Sequence, residues 1–415
     1  MNRTLAPHGA RPVAEPLLTT TLNLPECQAR GWVVVDSMVD GLALGGTRMT
    51  PTVTEQELAG LARAMTHKLA LVGLPIGGAK AGIAPDPGAT VERRAVMRGF
   101  GRAAAPLLNG GVYLGCDQGT TYADRQVAFE AAGYDVTRRP GTTRLTVDWA
   151  ELWDHMADIT GFGVAVAVLG ALRASGARTP QRIAIQGFGT VGRAVAGHLA
   201  AHGHSVVAVA DVRGTIEDQR GLPVAELATL TSSDGTIDRN RLPARVTVHG
   251  PGQAWLHVDA DVLVLAASAS AVDEQAVPAV RASLVIEGGN LSCTPPARRL
   301  LRAAGHTVLP DVVVNVGGAA ATGCVLAGLA PSDLPLPQLS AWLREWVSSR
   351  IARNCELVQE LSTSGSADPV AQLLGSRGAP GGGGPPAGGA PRGARGGGRP
   401  PGVTRQTRHT QRGET

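Results

Sequence analysis

The stretch RIAIQGFGTVGRAVAGHLAAHGHSVVAVAD, residues 182–211, decides the fold. An apolar run leads into Gly187, Gly189 and Gly192, spaced G-x-G-x-x-G. A helical segment follows, and a second apolar run ends at Asp211. Strand, glycine turn and helix mouth in this order form an anion site. The first glycine permits a tight turn, the second lets backbone approach a pyrophosphate, and the third allows close helix packing. The first N–H groups of the helix then face the anion. Asp211 stands 24 residues past Gly187, where a carboxylate would hold the adenosine ribose and repel a 2′-phosphate. These residues point to a dinucleotide site that takes NAD, with NADP possible because Arg213 follows two residues later.

Working outward, residues 151–334 alternate apolar strands (RIAIQG, SVVAVAD, DVLVLAA, SLVIEGG, HTVLPDVVV) with helical stretches. That rhythm predicts an α/β chain whose dinucleotide domain is a doubly wound parallel sheet of the Rossmann type. Residues 21–150 predict a separate N-terminal α/β domain. GWVVVDSMVDGLALGGTRM reads as two strands with a turn at Asp40-Gly41. Thr54 and Glu57 form the pattern of a capping box, opening a helix with Leu58, Leu61, Ala62, Met65 and Leu69 on one face. Lys68 lies near the end of that helix, and GLPIGGAK is expected to break it and carry Lys80 on a Gly-rich loop. The strand GVYLG delivers Asp117, and Thr121 with Asp124 opens the next helix. Residues 335–375 read as amphipathic helix. Residues 1–20 (Pro-rich) and 376–415 (Gly, Pro and Arg) are expected to be disordered.

The composition narrows the function classes. Of 415 residues 43% are hydrophobic but only 3% aromatic, so the cores rest on Val, Leu, Ile and Ala. The net charge of +4 is segregated: from Arg377 onward there are seven arginines and one glutamate, leaving the rest mildly acidic. No basic face calls for nucleic acid. Apolar runs such as VLVLAA are too short to span a bilayer, so no membrane partner is expected. Five scattered cysteines (Cys27, Cys116, Cys293, Cys324, Cys355) without CxxC spacing read as free thiols in a reducing cytoplasm. The ten histidines show no ligand spacing such as HExxH, so no metal is expected.

Of the 38 Lys and Arg residues, only Lys68 and Lys80 are lysine, and both fall within THKLALVGLPIGGAKAG, residues 66–82. Arginine is a planar fork that stays charged. Lysine is a compact ammonium whose pKa burial or neighbouring cations can lower. A chain this biased toward arginine keeps lysine where those properties matter. Asp117, after an apolar strand, is a helix-flanking residue or, beside a cation in a cleft, an acid/base group.

Several ordered motifs carry a family resemblance: LALGGTRM, MTHKLALVGLPIGGAKAGI, GCDQGTT, DITGFGV, QGFGTVG, EGGN and PDVVVNVGG. From about Thr21 to Leu361 the chain resembles the glutamate/leucine/phenylalanine/valine dehydrogenase family, most closely its leucine/valine/phenylalanine branch. The resemblance implies reversible, NAD-dependent oxidative deamination of an L-amino acid to a 2-oxo acid and ammonia, in a homo-oligomer. It implies that residues 21–150 form the substrate-binding and oligomerisation domain, with the helix of residues 335–375 packing back on it, and that Lys68 binds the substrate carboxylate. Lys80 activates the attacking water and stabilises the carbinolamine, and Asp117 is the general acid/base. Asn315 lies between substrate and nicotinamide. Thr160, Gly187, Gly189, Thr190, Val191, Gly192, Asp211, Ala267 and Asn290 fall on the cofactor cleft, and Leu44, Gly45, Gly115, Ala319 and Thr322 on the substrate pocket.

Substrate choice rests on that pocket. Glutamate enzymes of the family place a lysine where this chain has Leu44, so a γ-carboxylate would meet no cation there. The expectation is an apolar amino acid of the leucine/valine type. Gly115 and Ala319 are smaller than the usual residues of leucine enzymes, which keeps an aromatic substrate open, and Thr322 keeps glutamate open. A rival of another class is an inactive cofactor-binding protein, against which the retention of Lys68, Lys80 and Asp117 argues.

Overall fold

The computed structural model describes residues 15–86, 92–139, 141–177, 180–232 and 234–376. The first sheet contains β1 (Leu18–Leu24), β2 (Ala29–Val35), β3 (Ala43–Met49), β4 (Gly77–Pro85) and β5 (Val112–Cys116), in the order β1-β2-β4-β3-β5. Its helices are α1 (Glu55–Leu71), α2 (Arg93–Asn109) and α3 (Tyr122–Ala132). Strand β1 begins inside the N-terminal segment expected to be disordered; the first fourteen residues lie outside the described ones, as does the tail from Arg377.

The turn at Asp40 and Gly41 is present, with φ of 49° and 72°. The strands it joins do not pair, however. The α1 crossover returns β4 between them, parallel to β3 and antiparallel to β2. The Gly-rich segment is likewise not a loop: Lys80 is an internal residue of β4, a central strand. Its glycines serve close packing. A Cβ at Gly77 would lie 2.0 Å from the Ser37 carbonyl oxygen, and one at Gly78 would lie 2.2 Å from the Thr66 nitrogen on α1. Thr54 caps α1 by accepting from the Glu57 N–H at 3.2 Å, but the Glu57 carboxylate turns to Arg48, so the reciprocal half of the capping box is absent. At α3 both halves are made, between Thr121 and Asp124.

The chain then crosses through α4 (Trp149–His155) and α5 (Ile159–Ala174) into β6 (Arg182–Gln186), α6 (Thr190–Ala201), β7 (Ser205–Asp211), β8 (Gly214–Glu217), α7 (Val224–Thr229) and β9 (Thr247–Val248). It continues through β10 (Val262–Leu265), β11 (Leu284–Glu287), α8 (Pro295–Ala303), β12 (Thr307–Leu309), α9 (Asp311–Val314) and α10 (Gly317–Leu326). The second sheet has the order β12-β11-β10-β6-β7-β8-β9. Strands β12 to β7 run parallel, and β8 and β9 extend the edge antiparallel. The chain leaves β6 to one side for β7 and returns on its other side with β10. The crevice beyond the carboxyl ends of β6 and β10 is therefore the switch point where such sheets bind ligands. HTVLPDVVV is a strand only as far as Leu309, because Pro310 starts the helical turn of α9.

One apolar stretch, Trp149–Ala174, is long and apolar enough to cross a membrane by length and composition, contrary to the reading of short runs only; 56% of its apolar 18-residue window is buried within the protein. Helix α5 is packed against α6 and α10 and against the long helix α11 (Leu336–Thr363), which accounts for its apolar character on several faces. Leu339, Leu343, Val347, Ile351 and Val358 form the buried stripe of α11. Asn354 on α11 donates to the Leu71 carbonyl at 2.8 Å, and Arg350 to the Val72 carbonyl at 3.1 Å. These bonds satisfy carbonyls that a helix end leaves open, tying down the end of α1 that carries Lys68. A last helix, α12 (Pro369–Ser376), also packs on α1.

Candidate active site

Helix α1 lies on β4 so closely that only glycine fits at Gly78, and this contact brings Lys68 and Lys80 to one cleft. Both are almost fully buried, each 4% exposed. Lys80 Nζ is 2.8 Å from Asp117 Oδ2, and Arg48 Nε donates to the same oxygen at 3.2 Å. Asp117 is aimed by Thr120, whose hydroxyl accepts from the Asp117 N–H at 3.0 Å and donates to the Thr47 carbonyl at 2.7 Å. Burial alone would push the Asp117 carboxyl up. Lys80 and Arg48 outweigh it and hold the group well below the usual carboxylate range. Arg48, which also ion-pairs with Glu57, was not singled out from the sequence. Strand alternation was the available signal, since Leu44, Gly46 and Arg48 share a face of β3.

Lys68 differs from Lys80 in its partner. Its ammonium donates to Asn290 Oδ1 at 2.7 Å, a neutral amide, and makes no ion pair among the described residues. Burial first, and the Lys80 cation next against it, lower its pKa from 10.5 to about 8, with Asp311 and Asp117 opposing. Asn315, 8% exposed, donates to the Gly288 carbonyl at 3.2 Å and to Asn290 Oδ1 at 3.3 Å. Its own Oδ1 is buried without a donor. The cleft thus offers a cation held only by an amide and an acceptor lacking a donor, the complement of a carboxylate and an ammonium on one small molecule.

The Asn290 loop rests on a buried charge network. Arg298 on α8 grips Glu287 through two nitrogens and reaches Asp311 at 3.2 Å. Asp311 accepts from the Leu291 N–H at 3.1 Å, and Glu287 from the Cys293 N–H at 3.0 Å. Glu287 and Asp311 are 0% exposed. No local sequence signal marked Arg298, because its partners come from a strand before it and a helical turn after it.

At the dinucleotide turn each glycine has its own reason. Gly187 has φ of 98° and would place a Cβ 2.7 Å from the Ala267 Cβ. Gly192 would place one 2.0 Å from the Gly187 carbonyl oxygen, so helix and strand meet only because it is glycine. Gly189 has open space at its Cβ position and begins α6, which has no side-chain N-cap. The first-turn N–H groups of Thr190, Val191 and Gly192 therefore face an open site suited to a pyrophosphate. Together with the donor-less Asn315 Oδ1, which can take a carboxamide N–H, these groups fit a nicotinamide dinucleotide. Thr160 is already engaged, accepting from the Gly318 N–H at 3.1 Å and so joining α5 to α10.

Asp211 does not stand ready for a ribose as expected. Oδ1 accepts from the Arg213 N–H at 2.8 Å and Arg239 Nη2 at 2.6 Å, while Oδ2 accepts from the Ile237 N–H at 2.7 Å and Arg239 Nη1. A carboxylate has about four acceptor positions, and all are taken. Burial raises the Asp211 pKa, but Arg239 and the two N–H groups prevail and keep it lowered.

On the pocket side, Leu44 is 3% exposed within the apolar core. A Cβ at Gly45 would fall 1.9 Å from the Ala79 carbonyl oxygen, so Gly45 is a packing glycine against β4. Gly115 has room: its nearest neighbours to a Cβ are Tyr113 Cε1 at 3.4 Å and the Gly45 carbonyl oxygen at 3.6 Å. Ala319 and Thr322 lie one turn apart on α10, both half-buried.

Residues 154–328 match the family model described as Glutamate/Leucine/Phenylalanine/Valine dehydrogenase, and residues 25–129 match the Glu/Leu/Phe/Val dehydrogenase dimerisation domain. An NADP(+)-dependent glutamate dehydrogenase of Pyrobaculum calidifontis is 35% identical over 285 residues, 66% of each chain. An NAD-specific glutamate dehydrogenase of Staphylococcus aureus is 30% identical over 67% of each chain. The matched stretch thus spans about two thirds of these relatives. Among solved structures, the hetero-hexameric glutamate dehydrogenase of Thermus thermophilus in a Leu-bound form superposes with a TM-score of 0.71 at 26% identity, covering 88% of this chain and 89% of that one.

Proposed function

The chain belongs to the Glu/Leu/Phe/Val dehydrogenase family and is an amino acid dehydrogenase using a nicotinamide dinucleotide; on that premise we propose that its substrate is an apolar L-amino acid of the leucine/valine type. The observation that carries this reading is the buried, apolar Leu44. Among the described residues the cleft cations are already assigned. Lys80 and Arg48 hold Asp117, and Lys68 is the one suited to the α-carboxylate. Set against Leu44, a second carboxylate would lie among apolar core side chains without a cation, which is unfavourable by several kcal/mol, on the order of the penalty for an unpaired buried charge. Glutamate is the second reading, favoured by the names of the relatives and by Thr322 on α10.

In this reading Lys68 fixes the carboxylate and Asn315 Oδ1 orients the ammonium. Asp117, ionised, takes a proton from the amine so that its lone pair can form the C=N bond as the Cα hydride leaves. When bound, the nicotinamide ring supplies the acceptor for that hydride. Asp117 passes the amine's proton to solvent and accepts one from the Lys80 ammonium at 2.8 Å; the amine so freed on Lys80 takes the proton of the water that adds to the iminium carbon, and the ammonium re-formed faces the carbinolamine oxygen. Asp117 returns its proton to the nitrogen, the carbinolamine hydroxyl loses its proton to solvent as the C=O bond forms, and the C–N bond breaks to release ammonia and the 2-oxo acid. The matched dimerisation domain supports an oligomer, which we take to be built of identical chains.

Reduced-nicotinamide absorbance with L-leucine, L-valine, L-phenylalanine, L-tryptophan and L-glutamate tests the proposal. Leucine or valine is expected to give the highest kcat/KM. A clear preference for glutamate would replace the apolar reading.

A further inference from the structure

Position 211 was read as the carboxylate that selects the unphosphorylated ribose, yet the structure gives it other work. Arg239 comes from the segment after α7, 28 residues along the chain, and is only 15% exposed in its side chain. It is locked in place: Nη1 also donates to the Ile237 carbonyl at 2.8 Å and Nη2 to the Gly214 carbonyl at 3.2 Å. The same segment reaches the glycine turn, where a Cβ at Gly235 would stand 3.1 Å from the Gly189 nitrogen. The pair Asp211–Arg239 therefore sits beside the dinucleotide turn and is neutral overall. Arg213, one residue beyond the exposed Val212, keeps an exposed side chain that makes no ion pair among the described residues.

We infer that Arg239 is a coenzyme-selecting residue: by saturating Asp211 it removes the charge and the lone pairs that favour a free 2′-hydroxyl, and with Arg213 it makes the adenosine end take a 2′-phosphate. The inference rests on the dinucleotide reading of the Gly187–Gly192 turn. A ribose diol arriving at Asp211 must displace either a bidentate guanidinium or a backbone N–H, whereas a 2′-phosphate meets no exposed carboxylate lone pair and one free cation. NADP is then bound more tightly than NAD.

Calorimetric titration of the full chain with 5′-ADP and with adenosine 2′,5′-bisphosphate reads this end of the site without turnover. The bisphosphate is expected to bind at least about tenfold more tightly, an advantage that shrinks as salt is raised. Arg213→Ala should weaken the bisphosphate about tenfold more than it weakens 5′-ADP. Arg239→Gln, checked for an intact thermal transition, should swing the ratio toward 5′-ADP by about tenfold because Asp211 is released. Since Arg213 is exposed, its variant tests the idea even if the Arg239 variant does not fold. Tighter binding of 5′-ADP by the unmodified chain, or a ratio indifferent to Arg213→Ala, overturns the selectivity assignment and leaves the dehydrogenase reading standing. Binding of neither nucleotide overturns both.

Discussion

Lys68 on α1 and Asn290 in the loop after β11 meet at 2.7 Å, although one comes from a helix of the first sheet's domain and the other follows a strand of the second sheet, 222 residues along the chain. A neutral amide can hold an ammonium in position without consuming its charge. Because the folded pKa is depressed from 10.5 to about 8, the folded chain binds fewer protons here than the unfolded one. This site therefore opposes folding at neutral pH, and the penalty fades as pH rises through 8 toward 10.5. Lys68→Met is expected to stabilise the fold at pH 7 by roughly 1–3 kcal/mol, read from urea melts. The same variant should raise the amino acid KM at least a hundredfold. In the unmodified enzyme KM should climb above pH 8 while the melting curves of the Met variant lose that pH dependence.

Lys80→Arg keeps a positive charge beside Asp117 but replaces an amine that can give up its proton with a group that does not. Turnover is expected to fall by roughly 10²–10⁴, the contribution of a positioned acid/base group. Dinucleotide affinity should be unchanged. An Arg variant with near-normal kcat would show that charge alone is enough at this position.

Leu44→Lys places a cation at the buried position that the proposed reading assigns to the substrate side chain. The ratio of kcat/KM for glutamate over leucine is expected to rise at least about tenfold, because the γ-carboxylate then has a partner. A ratio that stays put would mean that Leu44 does not face the substrate side chain.

Arg298→Met strands two buried carboxylates, Glu287 and Asp311. The loss should be about 3–5 kcal/mol, as for breaking a buried pair. Burial already pushes the Glu287 carboxyl up. Without Arg298 the group takes a proton more readily in the folded chain, so the variant should recover stability as pH falls from 8 to 5. Parallel denaturant melts at the two pH values check the sign.

Much of the architecture was legible because it is written in short-range terms. The strand–glycine turn–helix of residues 182–211 dictates its own geometry, and Gly187 and Gly192 have the steric reasons their spacing implied, while Gly189 has open space at its Cβ position. The rarity of lysine marked Lys68 and Lys80, which the fold brings to one cleft. What stayed hidden depends on partners distant in the chain. GLPIGGAK looked like a loop because Gly77 and Gly78 suggest turns, whereas their actual constraint is backbone from Ser37 and Thr66 pressing on them. The strands around Asp40-Gly41 looked like neighbours because the later insertion of β4 leaves no mark at the turn. Asp211 was found, but its saturation by Arg239 was not, since a salt bridge across 28 residues of irregular chain has no periodicity to announce it. Arg48 is marked only by strand alternation, which gives a face of β3 but not the pairing with Asp117 from another strand.

The contact of α1 with β4 divides the labour of the pocket. Both lysines are fixed by one helix lying on one strand, at a glycine that admits no side chain. Leu44, Gly115, Ala319 and Thr322, the positions proposed for the substrate side chain, hang from three other elements, β3, β5 and α10, and of them Leu44 is the ladder partner of Gly78 at that joint. An ancestor built this way could alter its diet by substitutions on β5 and α10 while its reaction chemistry was carried forward intact at the joint.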